Sequence, residues 1–244
     1  MAGHIRPHYR PYINNRLESF FDQKEPDMTF KRYLFDSGGY VARRRNIKIS
    51  VKEYADCLNR FKVPVGFNLD TNDVEESLRN QAFLEGACKH TYIIPVYHGS
   101  DYYSEYRDLI DDFVKRYQFI AVGGIAGGFF AHAIQDEFFK HVFRRTRDQV
   151  KVHALGVTRE QTLKTFPFFC CDSTSWQGPG RYGNGRAVKT SRKLSFYNKK
   201  LHYTMKIIEE MKWFNKLESD ITSLWERRGV VWKDDVWGIH EIKN

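Results

Sequence analysis

Three apolar runs in this chain each end in an aspartate. Phe168-Phe169-Cys170-Cys171 leads into Asp172, Tyr33-Leu34-Phe35 into Asp36, and Val65-Gly66-Phe67-Asn68-Leu69 into Asp70. A short apolar run bounded by polar turn residues reads as a buried strand, and its last carboxylate would emerge at the strand's carboxyl end. One such Asp could simply cap the next helix. Recurrence points further, because parallel neighbours would bring all three carboxylates to one rim. Like charges in a partly dry cleft push their pKa values apart, so one carboxyl keeps its proton while another stays ionised. That division supplies a general acid and a nucleophile, the pair used in glycosyl transfer with retention.

The elements that would hold these residues alternate regularly. The pattern predicts strands at 30–36, 65–70, 91–98, 118–123, 151–156 and 167–172. Helices are predicted at 51–61, 74–89, 102–117, 129–147 and 159–165, with Ser50 and Glu53 forming a capping box before the first. Strand-then-helix units of this spacing imply parallel pairing through right-handed crossovers. Because reactive-looking residues end every strand, a (β/α)8 barrel is preferred to an open doubly wound sheet. The chain reads as a single domain, with an N-terminal arm over 1–32, core β/α units over 33–193, and a helix and tail over 194–244. The arm is expected to be extended with a short helix at 14–22. A long amphipathic helix is predicted at 201–228, with a break near Phe214-Asn215, followed by short strands at 230–232 and 236–239.

The 244 residues suffice for one well-filled core. Lys and Arg number 39 against 30 Asp and Glu, a net charge of +9 that suits a polyanionic partner. Basic runs occur at Arg43-Arg44-Arg45, Arg144-Arg145-Thr146-Arg147 and 189–200. Cys57, Cys88, Cys170 and Cys171 lack metal-ligand spacing and read as reduced, packed thiols of a cytoplasmic protein. The first ten residues lack the apolar core of an export signal, and no 18-residue apolar run suggests a membrane span.

Several motifs in order resemble the tRNA-guanine transglycosylases and their relatives. They are Asp36-Ser37-Gly38-Gly39-Tyr40, Leu69-Asp70, Pro95-Val96-Tyr97-His98-Gly99-Ser100 and Gly123-Gly124-Ile125-Ala126-Gly127-Gly128. His153-Ala154-Leu155-Gly156-Val157 and Asp172 with Gly180-Arg181-Tyr182-Gly183 complete the series. The resemblance implies a (β/α)8 barrel that exchanges guanine in a polynucleotide for a 7-deazaguanine base. It casts Asp172 as the nucleophile on C1′ and Asp36 as the acid/base. Ser37, Asp70, His98, Gly124 and Ile125 would hold the base, with Tyr40 and Leu155 against its faces. Trp176, Arg181, Tyr182, Arg186 and Lys189 would contact the nucleic acid. His98 stands where relatives carry Gln, and an imidazole cannot offer an amide's donor and acceptor together.

The family's Cys-rich zinc cluster is absent, so no cofactor or metal is expected. The compact, basic chain is most similar to the phage-type DNA 7-deazaguanine transglycosylases, which would place it in a host cytoplasm. DNA is then the expected partner and a preQ0-like base the small substrate, with tRNA as the alternative polymer and a non-catalytic nucleic-acid-binding paralogue as the alternative class. Asp36 falls on what should be the third strand. Either the arm and tail supply abbreviated strands, or the barrel is irregular and incomplete.

Overall fold

A computed structural model describes residues 7–21, 25–27, 29–30, 32–125, 132–147, 149–178, 203–233 and 235–236. The chain is a mixed α/β structure with two parallel four-stranded sheets. One contains, in order, β1 (Asn15–Ser19), β2 (Arg32–Asp36), β3 (Val65–Phe67) and β4 (Tyr92–Ile94). The other contains β5 (Val96–His98), β6 (Phe119–Gly123), β7 (Lys151–Ala154) and β8 (Cys170–Cys171). Every pairing is parallel, as the alternation with helices requires from β2 onward, and β1 joins β2 in parallel with no helix between them among the described residues. A complete ring of eight strands is not formed among the described residues.

The sheets meet at Pro95. Proline has no N–H to give to a ladder, so the run 92–98 changes neighbour there. Before it, β4 lies on β3 in the register Phe67↔Ile94; after it, β5 lies on β6 in the register His98↔Gly123. Pro95 still accepts through its carbonyl, from Ala121 N at 2.9 Å. The two sheets also share one core. The Phe67 ring on β3 contacts His153 on β7 with centroids 4.9 Å apart.

Helices α1 (Gly39–Arg44), α2 (Val51–Phe61), α3 (Val74–Ala87), α4 (Gly99–Tyr102), α5 (Leu109–Arg116), α6 (His132–Thr146) and α7 (Glu160–Thr165) lie between strands, and α8 (Tyr203–Arg227) follows them. Ser50 caps α2 by accepting from Glu53 N at 3.3 Å. Tyr54, Ala55, Cys57 and Leu58 form the buried stripe of α2. Tyr54 has a second task. Strands β2 and β3 share the single register pair Phe35↔Gly66, and the Tyr54 hydroxyl lies at that thin junction. It is 2.9 Å from Phe67 O and 3.2 Å from Phe35 O. Gly66 makes room for it, since a Cβ there would sit 3.1 Å from that hydroxyl.

The two-residue strand β8 has little ladder of its own, so rings fix the run before it. Phe168 meets Phe139 and Phe143 edge-on, with centroids 5.0 and 4.9 Å apart. Such pairs contribute about 0.5–1.5 kcal/mol each beyond area burial.

Several boundaries differ from the sequence expectation. The segment at 14–22 holds strand β1 instead of a helix. Arg16 and Glu18 there form a buried ion pair at 2.5 Å, and Tyr33 on β2 donates to Glu18 at 2.6 Å. Two buried charges spoil the apolar periodicity that marks a strand. The helix expected at 102–117 is three short pieces, broken where Ser104 caps a 3₁₀ turn at Glu105–Asp108. Helix α8 runs through Phe214-Asn215 without a break, and Val230–Trp232 is not a strand. Most of 236–239, and residues 129–131 of the helix expected at 129–147, lie outside the described residues.

Helix α8 links β1 of the first sheet to α7, the helix that precedes β8. Asn15 on β1 donates to Glu218 at 2.8 Å, and Asn215 donates to Tyr12 O at 3.1 Å. On the other side Trp225 Nε1 donates to Leu163 O on α7 at 2.8 Å. Among the described residues no helix is long and apolar enough to cross a membrane.

Candidate active site

Asp36 is the last residue of β2, Asp70 lies three residues past β3, and Asp172 directly follows β8. All three are at carboxyl ends of parallel strands, where open α/β folds and barrels place their chemistry. Alternation along the strands sets direction. Phe35 packs outward against Tyr54 and Phe20, so its neighbours Leu34 and Asp36 face the opposite side.

Asp36 senses the other two carboxylates, and the three differ in state. Asp36 is pushed up to about 7, first by burial and then by the charges of Asp70 and Asp172. The Gly38 N–H, 3.1 Å from Asp36 Oδ2, opposes that shift without cancelling it. Gly38 can offer this N–H because it turns at φ 78°, and a Cβ there would lie 2.3 Å from Phe21 Cβ.

Asp172 goes the other way. Burial favours its neutral form, but the hydrogen bond and charge of His153 and the Gly156 N–H hold it below the ordinary carboxylate range. His153 Nε2 lies 3.2 Å from Asp172 Oδ1, and Gly156 N donates to the same oxygen at 2.9 Å.

Asp70 is likewise held low against burial, by His98 first and then Arg43. Its loop is pinned by α3: Asn80 donates to Leu69 O at 2.8 Å, and Thr71 N donates to Ser77 Oγ at 2.8 Å. His98, at the end of β5, is itself raised. Burial lowers it, but the hydrogen bond and charge of Asp70 win. Asp101 fixes the His98 backbone by accepting from its N–H at 2.8 Å.

The other expected residues divide. Gly124 turns at φ 71° against His98, which a Cβ would approach to 3.3 Å. Leu155 is half-buried beside Gly123, and Tyr40 is exposed at the start of α1 with Arg44 above its ring. Ser37 is fully buried, and its hydroxyl donates to Asn68 O at 3.1 Å, joining the ends of β2 and β3 in place of presenting itself to a ligand. Ile125 is also buried. Trp176 packs edge-on against Tyr9, in a cluster with Ile207, Ile208 and Met211 of α8. Arg181, Tyr182, Arg186 and Lys189 lie outside the described residues. In the run 144–147, Arg145 is engaged with Asp111 at 2.9 Å and Asp108 at 3.5 Å.

Arg43, His153, Cys170 and Gly156 were not singled out by role from sequence. His153 did leave a signal, as an imidazole in the apolar strand run Val152-His153-Ala154. A cavity of about 420 Å³ opens between β1, β8 and α8, and Asp172, His153 and Cys170 form part of its wall. No described group of three or more His, Cys, Asp or Glu could hold a metal ion.

Such a set can offer an ionised carboxylate to an electrophilic carbon and a second carboxyl that exchanges its proton near neutral pH. No protein-family model matches the chain, and no curated protein is significantly similar to it.

Proposed function

We propose that this protein is a nucleic-acid guanine transglycosylase, replacing guanine in DNA with a 7-deazaguanine base of the preQ0 type. The observation that carries the reading is the split between Asp36, poised near neutrality, and Asp172, held ionised, two strand-end carboxylates of which the second raises the first. In this reading Asp172 attacks C1′ of the target nucleotide while the C1′–N9 bond breaks. Asp36 gives its proton to the departing guanine. The Asp36 carboxylate then takes the proton from N9 of the incoming base, whose nitrogen displaces Asp172 from C1′. Two displacements leave the configuration at C1′ as it began. The Asp70–His98–Arg43 cluster would read the polar edge of the base, with Tyr40 and Leu155 against its faces.

The same reading treats the two sheets as an irregular (β/α)8 barrel, with α8 spanning the outer strands β1 and β8. The excess of basic residues suits a polyanionic substrate, and the target base must leave its stack to reach strand-end carboxylates.

The test is to incubate the protein with duplex DNA, single-stranded DNA and tRNA, each with labelled guanine or preQ0, and count label in the polymer. Label in DNA is the expected result. Label confined to tRNA would transfer the reading to that polymer, where the 2′-hydroxyl offers a contact DNA lacks. No label in any polymer would refute it.

A further inference from the structure

Asp172 is the visible end of a longer arrangement. His153 is 1% exposed and sits on β7 in direct register with Cys170 on β8. Register partners in adjacent parallel strands project from the same face, and Asp172 is two residues beyond Cys170 on that face. The imidazole therefore lies between a thiol and a carboxylate. Its Nδ1 is 3.1 Å from Cys170 Sγ, and its Nε2 is 3.2 Å from Asp172 Oδ1. The Phe67 ring covers it from the facing sheet at 4.9 Å.

We propose that Cys170, His153 and Asp172 form one directed hydrogen-bond chain that leaves Asp172 Oδ2 as the attacking oxygen, with His153 as its positioning residue. The role assigned to Oδ2 rests on the transglycosylase reading; the chain itself does not. Direction follows from donor inventory. A carboxylate only accepts, so Nε2 carries the hydrogen toward Asp172. Whenever the ring is neutral, Nδ1 is then its acceptor and the thiol donates to it. Burial, followed by the charges of Cys171 and Asp172, pushes the Cys170 thiol up, which keeps that proton in place. Oδ1 receives both His153 and the Gly156 N–H, so among the described residues both donors converge on one oxygen. Among the described residues, the charged groups around this chain include Asp36, Arg32 on β2 and Glu218 on α8, with Arg16 and Glu226 on the same cavity wall.

The test combines a spectroscopic readout with kinetics. In ¹⁵N-histidine NMR of the full chain, the neutral form of His153 should be the Nε2–H tautomer. An Nδ1–H tautomer would overturn the chain. In H153F the flat ring still covers Phe67 but donates nothing. The Asp172 carboxyl, followed by ¹³C NMR, should then titrate at higher pH, and kcat for exchange should fall roughly 10- to 100-fold with its acid limb moved up. H153Q, which keeps a donor near the Nε2 position, should restore most of the rate and return the limb. C170S should resemble the parent, whereas C170V should move the limb in the same direction as H153F by a smaller amount.

An unmoved Asp172 titration in both H153F and C170V would overturn the proposal. Should H153F fail to fold, C170V and the tautomer still decide it. If the parent exchanges no base yet H153F moves the Asp172 titration, the transglycosylase reading and the role of Oδ2 fall while the chain stands.

Discussion

His98 Nε2 lies 3.0 Å from Asp70 Oδ2, and Arg43 reaches the same carboxylate at 3.3 Å. The pair joins the two sheets at their carboxyl ends, since Asp70 follows β3 and His98 ends β5. Its pH behaviour has two sides. Asp70 is held below the ordinary carboxylate range, so its contribution is present above that range and is lost as pH falls through the lowered value. His98 is raised, so its contribution is present below the ordinary imidazole range and is lost as pH rises through the raised value. Stability from the pair should therefore plateau between the two. H98Q should flatten the alkaline side of the plateau, measured by urea unfolding of parent and variant across that range. The same variant should change KM for the incoming base more than kcat, because His98 touches no reacting atom.

Asp36 gives the opposite sign. Its folded value of about 7 exceeds the unfolded one near 3.8, so the native state binds the extra proton between them. Stability must then fall as pH rises from about 4 to 7. D36N removes the cost of a buried charge. It should stabilise the fold at pH 8 by roughly 2–4 kcal/mol and have little effect at pH 4. It should also abolish base exchange, and a variant both inactive and more stable at alkaline pH is the expected signature. Thermal unfolding at the two pH values checks it. In the parent, turnover limited by the acid form should decline as pH rises through about 7.

For Asp172 the expected outcome is loss of chemistry with retention of fold. D172A should lower exchange by at least about 10³-fold. Intact-mass measurement after acid quench should find a protein–sugar adduct in the parent with DNA and none in D172A or D172N. Circular dichroism should match the parent, because the packing of Phe168 against Phe139 and Phe143 does not involve the carboxylate.

Tyr54 tests the thin junction between β2 and β3. Y54F deletes a buried hydroxyl serving Phe35 O and Phe67 O and should destabilise by about 1–3 kcal/mol. It should also lower kcat several-fold, since those carbonyls precede Asp36 and the Asn68–Asp70 loop that the reaction must hold in register. Chemical denaturation and steady-state exchange on the same preparation separate the two effects. Unchanged kcat with lower stability would confine Tyr54 to a packing role.

Much of the arrangement was legible in the chain. Apolar runs closed by Asp36, Asp70 and Asp172 marked strand ends because a carboxylate without a paired cation is costly inside a sheet. Among the described residues, five of the six parallel pairings followed from the helix between the two strands, and Ser50 marked the start of α2 because its side chain can satisfy an orphan N–H. What local pattern could not carry was anything set by a distant neighbour. Strand β1 exists because Arg16 and Glu18 neutralise each other in the interior and Tyr33 completes the bond, which no periodicity records. The change of sheet at Pro95 depends on which strand lies on each side of it. The split between an Asp36 raised to about 7 and an Asp172 held below the ordinary carboxylate range was decided by tertiary structure alone. Residue type gives both the same carboxyl, and only the folded chain brings His153 and Gly156 to one while leaving the other among like charges.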